Sequence, residues 1–557
     1  MTLLPRFLPL ILGVGCLTAC AEVRAFLVPP PSHGGAATVR AGPKYADVLV
    51  HVGRIHGGGA DERALALRDG RIIARGTRFQ VESLLGPSTQ VVRLGRGVAF
   101  PGFVDAHVHL DGAALLGDAA DLRAATTKAE VATALQNARV VMSDGTDWLW
   151  GFGLDRTLAA QLSGSDIDGL LASPAWLSTA DGHGAVVNTA LIKLLPPAEA
   201  SEVLALKGRL DGAVAQRAWR ALPPVRLQRW KPLLLDVLVR LQRVGVTEVH
   251  SMGASAALFA ALTALDREGR LPLRCVLYYD GERPEGQALL QPPKKTSNPA
   301  DKPLSRPWAP SRRVRVAGVK FWLDGTLGAR TAALREPYAD APTEKGALRY
   351  DDATVEGWIQ AADAAQFQLA LHAIGDAAVD QVARALAKLN RPAGALPVRL
   401  EHAQVVAPET LLLLQGKAVV CSVQPLHAGD DAPFAAARLG ASRLDWAYGA
   451  AELATVCPIL AGSDLPISRA GPMAMWRHLR TAFAQVAPGS AATLALRALL
   501  PGGTAATGPL LEVGTAADLV VWSRDPLEEL PAGTPPAVPL AMVVAGEPTV
   551  LDVSERE

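Results

Sequence analysis

Apolar runs rich in valine and leucine recur along the chain, separated by stretches with helical spacing, and several of the runs end on an ionisable residue. Eight of them have the length and composition of strands: Phe103–His109, Val246–Ser251, Arg274–Tyr279, Ala317–Leu323, Gln368–His372, Val398–His402, Ala418–Gln424 and Pro458–Ser463. Strands alternating with helices indicate an α/β class with a parallel sheet. Eight such units are what a (β/α)8 barrel of the TIM type requires, and its active-site face lies at the C-terminal ends of the strands.

Two stretches stand outside this repeat. Residues 112–240 separate the first two strands and are too long for one crossover helix; the insertion carries Trp148, Trp150, Phe152 and Trp176 and is expected to fold over the barrel mouth. Asp280–Arg313, rich in proline and lysine, reads as a long surface loop. The two ends of the chain show alternating apolar positions broken by turns, in ADVLVHVGRI and ALALRDGRIIARGT before the barrel and in ADLVVWSRDP and LAMVVAGEPTVL after it. Together they suggest a small β-sandwich domain, residues 46–100 with 508–550, beside a barrel of residues 101–507.

Of 557 residues, 49% are hydrophobic and 20% charged, as in a large soluble globular protein. The 55 basic and 54 acidic residues leave a formal charge of +1, which gives no sign of a nucleic-acid groove or a polybasic membrane surface. Residues 1–19 read as a signal peptide: one charge, Arg6, then a short apolar core, then Leu17-Thr18-Ala19 before Cys20. LTAC resembles a bacterial lipoprotein cleavage box, which implies lipidation of Cys20, a tether over residues 20–45, and an exported, periplasm-facing protein held at the outer membrane by its lipid alone. Of the five cysteines this leaves Cys275, Cys421 and Cys457, scattered in apolar runs and expected as buried thiols rather than a disulfide framework.

The chemistry starts at GVAFPGFVDAHVHLD. Side chains repeat every two residues along a strand, so His107 and His109 share a face. On the inside of a barrel they would converge on a metal ion; otherwise they are polar residues where a strand meets a loop. Lys320, His372, His402 and Asp464 also fall at or near strand ends, and imidazole and carboxylate are the ligands that zinc and related divalent metals favour. Lys320 is the odd member, since an ammonium is repelled by a cation. It is either a salt-bridging lysine at a strand end or a neutral amine able to add carbon dioxide and become a carbamate.

The order HxH, Lys, His, His, Asp resembles the amidohydrolase superfamily, and more narrowly amidohydrolase family 3, the branch that includes N-substituted formamide deformylase. The resemblance rests on PGFVDAHVHL, STADGHGAVVN, GVTEVH, GVKFWLDGTLGARTAAL, LHAIGDAAVD, RLEHAQ, SVQPLHAGDD, AGSDLP and AADLVVWSRDP. It implies that His107, His109 and Asp464 hold one metal ion, that His372 and His402 hold a second, and that carbamylated Lys320 bridges them. It further implies hydrolysis of a small-molecule amide, with Asp464 moving the proton of the attacking water. An isomerase or lyase on the same centre, or a silent binding protein on the same fold, are the alternatives. Asp181, His183, Asp324, Arg330, Gln424 and His427 are candidate substrate contacts, four of them with a structural alternative: an Asx turn with a surface histidine at Asp181 and His183, a salt bridge at Asp324 and Arg330. Ser251 follows His250 where the family usually has aspartate, which leaves a supporting role for His250 in question.

Overall fold

Eight parallel strands, β1 (Phe103–Val108), β2 (Val246–Ala254), β3 (Arg274–Asp280), β4 (Val314–Trp322), β5 (Gln368–Ala373), β6 (Val398–His402), β7 (Val419–Val423) and β8 (Ile459–Ala461), pair in chain order into one sheet. The computed structural model describes residues 45–551 apart from 142–147, 181–183, 292–312, 470, 507, 509 and 529–533. Cys20, Asp181, His183 and most of the Asp280–Arg313 stretch therefore lie outside the described residues. The sheet curls until its last strand meets its first. The Asp464 N–H donates to the His107 carbonyl and the His109 N–H to that of Leu465, both at 2.7 Å, and Val108 and Leu465 form a parallel bridge. The fold is a TIM-type barrel.

Helices cover the outside for ordinary reasons. In Ala256–Arg267, the Ser255 hydroxyl accepts from the Leu258 N–H at 3.2 Å as an N-cap. Leu258, Ala261, Leu262 and Leu265 then make one apolar stripe against the strands, and Gly269 at φ 65° lets the chain turn away.

The insertion after β1 contains a five-stranded sheet with its own core, including Leu122, Leu135, Leu154 and Leu177. Helix Gly212–Ala221 then brings Trp219 among Trp148, Trp150 and Trp176, with ring centroids 5.3, 5.6 and 5.2 Å away. The next residue, Arg220, bonds Asp280 at the end of β3 at 2.8 Å and lies 5.7 Å over the Trp322 ring at the end of β4. The insertion thus reaches the rim where the strands end. Its last helix, Leu227–Gln242, serves as the crossover into β2.

Strands from both ends of the chain join in a seven-stranded sheet. Gln90–Pro101 runs through its middle, paired with Val48–Ile55 on one side and Leu519–Trp522 on the other. The sheet folds over a shared core in which Val50, Leu65 and Ile72 meet Leu519, Val521 and Val543.

The expectation of three buried thiols is corrected. Cys421 of β7 and Cys457, just before β8, form a disulfide, and only Cys275 among the described residues is a buried free thiol. Their sequence separation of 36 hid the pair, because adjacency of β7 and β8 is a property of barrel closure and not of spacing. Among the described residues no helix is long and apolar enough to cross a membrane.

Candidate metal centre

A regular strand cannot turn Ala106 and His107 to the same side, yet Ala106 packs with Val420 and Leu460 while the His107 ring reaches Glu401 and Asp464. The reason is a bulge. Between Asp105 and Val108, β1 takes three steps while β2 takes two, from Val249 to Ser251, and such an extra residue re-aims the side chains that follow. A second departure occurs on β6, where the neighbours Glu401 and His402 both face the centre. His402 has φ 71° and Ala403 φ 46°, the left-handed region that non-glycine residues rarely adopt. Asp464 shares this feature at φ 59°. Each strained residue costs on the order of 1–3 kcal/mol and persists only when its surroundings over-determine it. Here part of that support is a clasp between β1 and β8: Asp105 accepts from the Ser463 N–H at 2.8 Å and from its hydroxyl at 2.6 Å.

The protons of the two histidines can be placed from their partners. The Met252 carbonyl, 2.9 Å from His109 Nδ1, can only accept, so the His109 proton is on Nδ1. The Glu401 carboxylate, 2.7 Å from His107 Nδ1, fixes His107 in the same way. Both Nε2 atoms then carry lone pairs, and both face Asp464 Oδ1, at 3.4 Å from His107 and 3.1 Å from His109. Three acceptors converge with no proton among them, and His107 Nε2 and Asp464 Oδ1 are buried without hydrogen-bond partners. A cation between them resolves the repulsion, and two imidazoles with a carboxylate are a donor set suited to a divalent metal.

A second group, which lacks the proton-free character of the first because His427 accepts from Gln404 at Nδ1, consists of His402, His427 and Asp464. It brings in His427, expected as a substrate contact, in place of His372, whose Nε2 is 3.0 Å from the Gly325 carbonyl and must be protonated there. The His372 and His402 rings still lie close, with centroids 4.4 Å apart, so His372 Nδ1 is the nitrogen left to the centre. Lys320 is fully buried, and its Nζ has no hydrogen-bond partner and lies 5.2 Å from the Trp322 ring.

Charge follows from burial. The Lys320 ammonium is pushed down to about 8, chiefly by burial, against the pull of Glu401 and Asp464. Burial and the Lys320 charge lower His107 to about 4 and His372 to about 3, and burial with neighbouring imidazoles holds His402 well below the ordinary range. Neutral imidazole is the form that ligates metal. Burial would raise the Asp464 carboxyl, but His107 and His109 outweigh it and keep it well below the usual range.

Asp324 and Arg330, expected as substrate contacts, are both engaged by other parts of the chain. Asp324 is buried and accepts backbone N–H groups from Ala333, Ile374 and Gly375 at 2.8–3.1 Å, pinning the DGTLGAR loop to the end of β5. Arg330 makes a two-pronged pair with Asp340 at 3.0 and 3.1 Å, the salt bridge left open by the sequence. Gln424 is buried with its amide on the Ser422 carbonyl and its Oε1 without a partner. His427 accepts at Nδ1 from Gln404 at 3.2 Å, and its Nε2 lies 3.6 Å from Asp464 Oδ2. His250 does have a supporting place, between Glu248 and Arg399. Glu401, Arg399 and the Asp105–Ser463 clasp were not singled out from the sequence; the charged pair in RLEH, inside an otherwise apolar strand, was the signal available.

A barrel with convergent imidazoles and a carboxylate at its C-terminal rim defines a metal-dependent hydrolase of the amidohydrolase superfamily. Residues 90–550 match the amidohydrolase family model, and the chain belongs to that family, as amidohydrolase family 3. It is 28% identical over 432 residues to the putative amidohydrolase YtcJ of Bacillus subtilis, covering 74% of this chain and 78% of that one. It is 28% identical over 456 residues to the protein LONG AFTER FAR-RED 3 of Arabidopsis thaliana, covering 76% and 75%. Among solved structures, it superimposes on an uncharacterized metal-dependent hydrolase from Pyrococcus furiosus with a TM-score of 0.66 at 25% identity, covering 87% of this chain and 99% of the other. A second such hydrolase, from Pyrococcus horikoshii, gives a TM-score of 0.68 at 23% identity, covering 87% and 97%, and bears on the fold alone.

Proposed function

We propose that the protein hydrolyses an amide- or formamide-like carbon–nitrogen bond, other than a peptide bond, in a small molecule. The observation that supports a metal centre most directly is the meeting of His107 Nε2, His109 Nε2 and Asp464 Oδ1 with no proton to share. These three would hold one ion, zinc by their chemistry, with His372, His402 and a carbamylated Lys320 toward a second. A divalent ion bound there supplies Lewis acidity toward a carbonyl oxygen and lowers the pKa of water toward neutrality.

The chain's own groups do the rest. Asp464, ionised at neutral pH, takes a proton from the attacking water on its carboxylate and returns it to the departing amine. His427 accepts from Gln404 at Nδ1, so its own proton sits on Nε2, facing Asp464. That N–H is placed to donate to an oxygen gaining negative charge in the transition state. The same proposal includes export and a lipid at Cys20, and the Cys421–Cys457 disulfide supports an oxidising compartment.

The test is elemental analysis of the purified protein beside product analysis on N-acyl and N-formyl amine libraries. Stoichiometric divalent metal with release of free amine is expected. His107→Ala is expected to lose the ion of the first group and the activity with it. Normal metal content and turnover in His107→Ala, or a rearranged rather than hydrolysed product, would refute the proposal.

A further inference from the structure

Behind His107 lies a buried network whose hub, Arg399, takes no part in the proposed chemistry. Arg399, about 1% exposed at the centre of the barrel, spends all five of its N–H groups. Its Nε donates to Glu401 Oε1 at 2.7 Å; Nη1 donates to His250 Nδ1 at 2.8 Å and to the Tyr278 hydroxyl at 3.3 Å. Its Nη2 donates to the Ala106 carbonyl at 2.7 Å and to the Ser422 hydroxyl at 3.0 Å. One guanidinium thereby ties β6 to β1, β2, β3 and β7. The far oxygen of the clamped carboxylate, Glu401 Oε2, is the one 2.7 Å from His107 Nδ1.

We infer that Glu401, clamped by Arg399, is the positioning residue that fixes His107 in the tautomer able to hold the ion; the inference rests on the metal reading above. Stability alone gives no reason for this pair. Replacing a buried ion pair by well-packed apolar side chains is often neutral or stabilising, so an apolar layer would serve the barrel equally well. What an apolar layer cannot supply is an acceptor at Nδ1. Without one, nothing prevents the His107 proton from moving to Nε2, where it would donate to Asp464 Oδ1, 3.4 Å away, and close the site to a cation. A carboxylate acceptor also makes the ring a stronger donor to metal than the Met252 carbonyl makes His109. The same hub also touches the bulge, since the Ala106 carbonyl held by Arg399 belongs to the residue just before His107.

The experiment uses the full chain, stripped of metal and titrated with Zn2+ against a competing chelator, with melting of the metal-free protein measured in parallel. Glu401→Gln should weaken the affinity of the first site about 10-fold to 100-fold. It also leaves Arg399 without its counter-charge, so a second variant, Glu401→Gln with Arg399→Met, removes that charge and should melt closer to the wild type while its Zn2+ affinity stays weak. Wild-type affinity in Glu401→Gln, or affinity that recovers with stability in the double variant, overturns the inference and leaves the metal reading standing. Failure of the wild-type protein to take up Zn2+ brings both down.

Discussion

Gly462, just after β8, lies against His107 where the barrel closes, and it allows a test of how tightly that closure sets the site. A Cβ built there would stand 2.3 Å from the His107 nitrogen, 2.6 Å from its Cβ and 2.8 Å from its Cα, whereas ordinary contacts begin at 3.4 Å. All three atoms belong to the backbone or its first branch, so no flexible tip can move aside. In Gly462→Ala the two strands must part by about 1 Å, and overpacking of this kind costs about 1–3 kcal/mol. The displaced atoms are those of a candidate ligand, and a misplacement of about 1 Å is worth on the order of 100-fold in rate. The assay is kcat/KM on the amide identified by the screen, with metal content and melting temperature for each protein. Gly357→Ala is the control: that glycine is exposed in helix Asp352–Ala365 with nothing within 4 Å of the added Cβ. It should stabilise by about 0.5–1 kcal/mol with activity unchanged. A Gly462→Ala protein that melts, loads metal and turns over like the wild type would show that His107 is not held by this contact.

Other outcomes are expected from the same structure. Lys320→Ala should lower activity, with partial recovery in short carboxylic acids that occupy the place of a carbamate; full activity without them removes the bridging role. Replacing Cys421 and Cys457 together by alanine opens a cross-link spanning 36 residues and should cost up to about 4 kcal/mol by loop entropy. Metal content should survive in that variant, and melting unchanged from the wild type would contradict the cross-link. Cys20→Ser should release the protein from membranes on fractionation, and an unchanged membrane-bound share would refute the lipid anchor.

The barrel was legible because its strands are short, buried runs between helices; β6 spans Val398–His402 in both sequence and structure, and the other seven differ only at their ends. His107, His109, Lys320, His372, His402 and Asp464 were legible as ionisable residues closing apolar runs. The Glu401 contact was not, because period-two alternation sends Glu401 and His402 to opposite faces; only a left-handed residue at the end of β6 lets both face inward. For the same reason the shared face of His107 and His109 was right in outcome but incomplete in cause, since the bulge in β1 does part of the turning. The partners of Asp324 and Arg330, the backbone at Gly375 and the Asp340 carboxylate, were not legible, because they come from segments whose approach no local pattern encodes.

Leu519–Trp522 fills the open side of Gln90–Pro101, pairing with Val98–Pro101, and so a strand that follows the barrel finishes a layer begun before it. Until it arrives, Val98–Pro101 presents a bare row of amide and carbonyl groups that invites association with other chains. A polypeptide cut or released before Leu519 would carry every candidate ligand and still display that sticky margin. The strand therefore works as a latch that keeps this margin from pairing with another chain.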